Sequence, residues 1–99
     1  MTKKKTPRAP PTGRIELAAE LTIAHAADLQ RSFKEGLAGD AALIVDGTRV
    51  TQIDTSILQL LVAAWRAGAQ RGAPCSWAGA SDALRRSAAL IGVAAALQL

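Results

Sequence analysis

The sequence predicts an α/β fold: a small, largely parallel sheet packed with helices. Three observations predict it. Short apolar runs of strand length alternate with longer segments whose apolar residues recur at helical spacing. The connections between them are short and rich in Gly, Asp, Ser and Thr. The chain has 99 residues, nearly half of them apolar, which suits one domain with a core that needs neither metal nor disulfide.

The elements follow in order. Arg14-Ile-Glu-Leu17 alternates polar and apolar residues, as a half-buried strand does. Glu20-Leu-Thr-Ile23 leads out of it. Thr22 is a helix cap, and Ile23, Ala26, Ala27, Leu29, Phe33 and Leu37 then recur at roughly helical spacing. Gly36 and Gly39 are expected to end that helix. Ala42-Leu-Ile-Val45 is a continuous apolar run and reads as a central strand buried on both faces. Asp46-Gly47 turns the chain. A second helix is expected from just after Ile53 to about Gln70, with Ile57, Leu58, Leu60, Leu61, Ala64 and Trp65 on a broad apolar face; Gly68, Gly72 and Pro74 mark its end. Cys75-Ser-Trp-Ala78 is a third strand. Ser81 or Asp82 caps a third helix through Leu90, and Val93 to Leu99 adds a last short strand or helical turn. Helices between successive strands imply parallel pairing and right-handed crossovers. Periodicity leaves open which face or faces of the sheet the helices cover.

Charge separates the chain into a tail, residues 1–11, and a domain, residues 12–99. The net charge of +4 comes from Lys3, Lys4, Lys5 and Arg8; the remaining eight basic residues are matched by eight acidic ones. The Pro-rich basic tail is expected to be disordered. The body is neutral, which argues against a nucleic-acid face. No signal peptide and no apolar run long enough to span a membrane is present, so a cytoplasmic protein is expected. The single Cys75 cannot form an internal disulfide and reads as a buried structural thiol. His25 is the only histidine and has no metal-ligand spacing around it. The glycines form neither a Walker loop nor a dinucleotide fingerprint, and Ser56 has no paired His and Asp. No cofactor and no enzymatic activity is expected. Trp65 and Trp77 are candidate binding anchors, since Trp is favoured at interface hot spots; Trp65, which follows Ile57, Leu58, Leu61 and Ala64 along a helix, reads rather as core or core edge. Arg85 and Arg86 read as a solvated helix face.

One junction stands out. Asp54, Thr55 and Ser56 fall together where the second helix begins. All three residue types cap helices by accepting first-turn N–H groups, and Ser56 with Gln59 has capping-box spacing. A helix start also offers unpaired N–H groups and partial positive charge, so it tolerates an added phosphate. The two readings are compatible, because a cap can be phosphorylated.

Four segments together resemble the STAS domain, the fold of bacterial anti-sigma-factor antagonists, over about residues 13–99. Glu20-Leu-Thr-Ile23 resembles the segment entering that family's first helix. Leu43-Ile-Val-Asp46 resembles its buried strand. Val50-Thr-Gln-Ile-Asp-Thr-Ser56 resembles its "V-x-x-I-D-S-S/T" signature, and Ala83-Leu-Arg-Arg-Ser-Ala-Ala-Leu-Ile-Gly92 resembles its penultimate helix. The resemblance implies a STAS-like sheet and a non-catalytic signalling module. It nominates Thr55 as phosphoacceptor, with Ser56 as second choice. It nominates Asp54, Thr55, Ser56, Ile57, Glu20, Thr22 and His25 as partner contacts, since loops after parallel strands gather at one sheet edge. The implied partner is an anti-sigma factor or serine/threonine kinase. The alternatives are the ABC ATPase of a phospholipid-transport complex, with this chain as adaptor, and a chemotaxis-linked role. The antagonists continue "G-L-G" after the two hydroxyl residues; here Ile57-Leu58-Gln59 replaces both glycines, so a β-branched side chain is expected where a partner would approach. The apolar second helix allows a homodimer without requiring one.

Overall fold

A computed structural model describes residues 13–39 and 41–99; the expected basic tail lies outside the described residues. The chain runs β1 (Gly13–Glu16), β2 (Glu20–Leu21), a 3-10 turn (Ile23–His25), α1 (Ala26–Leu37), β3 (Leu43–Gly47), β4 (Gln52–Ile53), α2 (Thr55–Gln70), β5 (Cys75–Ala80) and α3 (Asp82–Leu90). The α/β class is as the sequence predicts. Two sheets carry it. The larger has strand order β1-β3-β5, all parallel, with Ile15 opposite Val45 and Val45 opposite Trp77. The smaller pairs β2 with β4, Glu20 opposite Gln52 and Leu21 opposite Ile53.

Strand order follows chain order, so successive right-handed crossovers place α1 and α2 on the same face of the larger sheet. The two helices pack on each other there, with Phe33, Leu37, Leu60 and Ala64 around a shallow groove. Burial alternates along the strands accordingly. Leu43, Val45 and Gly47 of β3 are buried, while Ile44 and Asp46 between them are only half-buried. This corrects the expectation of a central strand covered twice: no described helix lies over the Ile44 face. That face instead carries a polar network. Thr48 donates its hydroxyl and its backbone N–H to Asp46 Oδ1 at 2.7 and 3.0 Å, and Arg14 reaches Asp46 Oδ2 at 3.2 Å. These partners hold the Asp46 carboxyl below its ordinary pKa, the Thr48 hydrogen bonds contributing most.

The core is built where α2 meets the sheet. Ile57, Leu58, Leu61, Val62, Ala64 and Trp65 are all buried, and they pack with Leu43, Val45, Leu84, Ala88 and Leu97. Trp65 of α2 stacks on Trp77 of β5 at 4.5 Å between ring centroids. Trp77 donates its indole N–H to the Leu97 carbonyl at 2.7 Å, fixing the C-terminal turn against the sheet, whereas the buried Trp65 Nε1 has no acceptor among the described residues.

Three glycines act differently from expectation. Gly36 lies inside α1, which continues to Leu37; a Cβ there would stand 2.8 Å from Leu43 Cδ1, so the missing side chain lets the helix settle on β3. Gly47 ends β3 rather than turning the chain, and its bare Cα admits Leu84 and Trp77. Gly68 is buried inside α2; Gly72, at φ +76°, follows that helix's end.

Candidate functional site at the start of helix α2

Position 54 is where extended backbone becomes helix. Asp54 has φ −74° and ψ 152°, and its carbonyl accepts the N–H groups of Ile57 and Leu58. Asp54 is therefore the N-cap residue, Thr55 the first helical residue and Ser56 the second. The capping-box expectation for Ser56 and Gln59 fails for that reason: the helix starts two residues too early for Ser56 to cap it. Asp54 does not cap it with its side chain either. Its carboxylate reaches sideways, and Oδ2 accepts the backbone N–H of Ile23 at 3.0 Å.

That contact is possible because β2 and β4 bring two loops together. The Ala19 carbonyl accepts Thr51 N–H at 2.7 Å, Gln52 N–H at 3.1 Å and the Thr51 hydroxyl at 3.0 Å; one step along, Leu21 O accepts Asp54 N–H at 2.8 Å. The segments entering α1 and α2 thus end side by side. Thr22 stands in extended conformation before the 3-10 turn, and His25 Nδ1 reaches back to accept Thr22 N–H at 3.2 Å, with Thr22 Oγ1 at 3.3 Å.

The expected site residues divide as follows. Thr55 and Ser56 are exposed, and among the described residues neither hydroxyl has a hydrogen-bond partner. Asp54 is half-buried and tied to Ile23. Thr22 lies in the turn that Asp54 holds, with His25 at its far end and Glu20 on the paired strand leading into it. Ile57 is the exception. It is fully buried, on the same helical face as Leu61 and Ala64, so its side chain contributes to the core and not to a contact surface. The same fact removes the expected obstruction: the β-branched group replacing the family's glycine points inward.

Ile23 is the large residue that sequence reasoning placed wrongly; Ala27, assigned to the same face, is also exposed. The spacing of Ile23 to Ala26 and Ala27 assigned it to the buried face of α1, but it is 66 % exposed. The intervening 3-10 turn advances about 120° per residue rather than 100° and rotates Ile23 off that face. Its place directly after the capping Thr22 was the available signal. Among the described residues, ion pairs join Arg14 to Glu16 and Asp46, and Arg31 to Asp28; none involves Glu20 or Asp54. The corner is an exposed isoleucine and two hydroxyls, flanked by acidic groups.

A family model described as Mlab, STAS domain, matches residues 5–99, nearly the whole chain. The chain belongs to the STAS domain family. Comparison with curated proteins and with solved structures gave no match. STAS domains generally mediate protein interactions, and no helix among the described residues of this STAS domain is long and apolar enough to cross a membrane.

Proposed function

We propose that this STAS domain is a non-catalytic cytoplasmic signalling module that docks a protein partner through the start of α2, and that phosphorylation of Thr55 releases that partner. The observation that carries the reading is the exposure of Thr55 and Ser56 on the first turn of a 16-residue helix, beside an Asp54 that is already committed to Ile23. Neither hydroxyl is needed to hold the helix, so both are free for intermolecular use. A helix N-terminus accommodates phosphate through its free N–H groups and partial charge. A phosphate on Thr55 adds about −1.5 to −2 charges at neutral pH next to the Asp54 carboxylate. A partner packed on the bare hydroxyl then meets an uncompensated dianion, which strongly opposes association. The domain itself need not change shape.

The partner class in this reading is an anti-sigma factor or serine/threonine kinase. Recovery of the cognate partner on immobilised wild type, Thr55→Ala and Thr55→Glu tests it. Wild type and Thr55→Ala should retain the partner and Thr55→Glu should lose it; equal recovery of all three removes the switch.

A second reading is favoured by the description of the matched family model, which names Mlab. In it the chain is the adaptor of a phospholipid-transport ABC complex, and Thr55 is a permanent contact with the ATPase. An ATPase that co-purifies in fixed ratio, whether or not Thr55 carries phosphate, would select this reading over the switch.

A further inference from the structure

We infer that Ile23 is the apolar anchor of the docking corner and that Asp54 is the positioning residue that holds it out. The inference rests on the docking reading above and names the partner chemistry it needs: a protein surface with an apolar socket flanked by lysine or arginine.

Three observations carry it. First, Ile23 is a large aliphatic side chain left 66 % exposed, although Leu21, two residues earlier, is buried in the core. Second, an ionised side chain fixes its backbone. An Asp at the N-cap ordinarily accepts the N–H groups of its own helix. Asp54 leaves that role to its carbonyl and spends its carboxylate on Ile23 N–H, across 31 residues of sequence. A charged acceptor makes the stronger kind of hydrogen bond, so the turn bearing Ile23 is pinned against the turn bearing Thr55. Third, the surroundings are complementary to one kind of occupant. The Thr55 and Ser56 hydroxyls can form uncharged hydrogen bonds, and Glu20 and Asp54 are acidic with no cation paired to them among the described residues. A membrane surface, itself commonly anionic, would be repelled by these groups; a basic, socketed protein surface would not.

Leu90, on α3 and 81 % exposed, is the internal control: it is more exposed than Ile23, yet no side chain pins its backbone among the described residues.

The experiment uses the full chain in its native cell, with a photo-crosslinking benzoylphenylalanine at position 23, 55 or 90 in turn. Crosslinks from positions 23 and 55 to the same protein, and none to it from 90, are expected. That protein is then purified and its affinity measured. Ile23→Ser should weaken binding roughly ten- to a hundredfold, the loss of one buried aliphatic side chain. Leu90→Ser should change it less than twofold. Asp54→Ala should weaken it and speed amide exchange at Ile23, while Asp54→Asn, which keeps an oxygen acceptor, should restore much of both. A crosslink from 55 without one from 23, or unchanged affinity in Ile23→Ser, overturns the anchor and leaves the docking reading standing. Crosslinks from neither position overturn both. Unchanged Ile23 amide exchange in Asp54→Ala overturns the positioning role alone.

Discussion

Two serines at helix starts show how the same residue type serves different ends. Ser81 is the N-cap of α3: its Oγ accepts Leu84 N–H at 3.1 Å and donates to Val50 O at 2.6 Å, tying the helix to the segment before β4. Ser56 lies two positions past the N-cap of α2 and its hydroxyl is exposed. Ser81→Ala should therefore destabilise the fold by about 1–2 kcal/mol in urea titration, the value of a cap and a second hydrogen bond. Ser56→Ala and Thr55→Ala should each stay within about 0.5 kcal/mol of wild type. A large loss in either would show that the α2 hydroxyls are structural. The tryptophans allow a parallel comparison. Trp77→Phe removes the donor to Leu97 O and should cost about 1–3 kcal/mol, because a carbonyl beside the buried Leu97 loses its partner. Trp65→Phe removes a buried N–H that has no acceptor among the described residues, so its cost should be the smaller of the two despite the lost ring area. Thermal denaturation of the pair checks the order.

At the scale of elements, long periodic segments were legible and short ones were not. The apolar face of α2 contains Ile57, Leu58, Leu61, Ala64 and Trp65 as its spacing predicts, because one helix of sixteen residues averages over local detail. The β2–β4 pair was missed. Two residues carry no period, and their pairing is fixed by Ala19 O and Leu21 O from a segment some thirty residues away. That pair is what joins Asp54 to Ile23, so the residue types of the site could be read from the sequence while its geometry could not. Ile23 was misassigned for a related reason: a single 3-10 turn shifts phase within three residues, too few for a pattern to register. Gly47 was read as turn chemistry when its purpose is contact. A Cβ there would stand 2.7 Å from Leu84 Cδ2 and 3.0 Å from Trp77 Cζ3, and Leu84 is fully buried. Gly47→Ala should cost about 1–3 kcal/mol through overpacking, measured by chemical denaturation. A neutral result would mean that α3 can shift to make room.

The whole molecule places its only cysteine out of reach. Cys75 is buried at the start of β5, its thiol donating to Ala64 O at 3.5 Å, and burial pushes the thiol's pKa above its ordinary value. The native state therefore favours the neutral thiol. The stability this contributes is intact below the unfolded-state pKa, near 9.0, and declines as pH rises past it and the unfolded chain ionises. Alkaline pH should lower the denaturation midpoint, and Cys75→Ala should lessen that slope. Alkylation of Cys75 at neutral pH should be slow until the chain unfolds; rapid labelling of the native protein would contradict its burial.

Parallel strands in chain order leave no hairpin among the strands described. The chain between β1 and β3 holds β2 and α1, and that between β3 and β5 holds β4 and α2, so each pairing must close a loop of roughly thirty residues before it gains anything. Such a topology zips slowly. The two-residue β2–β4 ladder can fray while β3 remains in place, and amide exchange should be faster at Ile53 than at Val45. A surface assembled across that ladder is present only while the ladder is closed, so whatever docks there also holds two distant segments of the chain together.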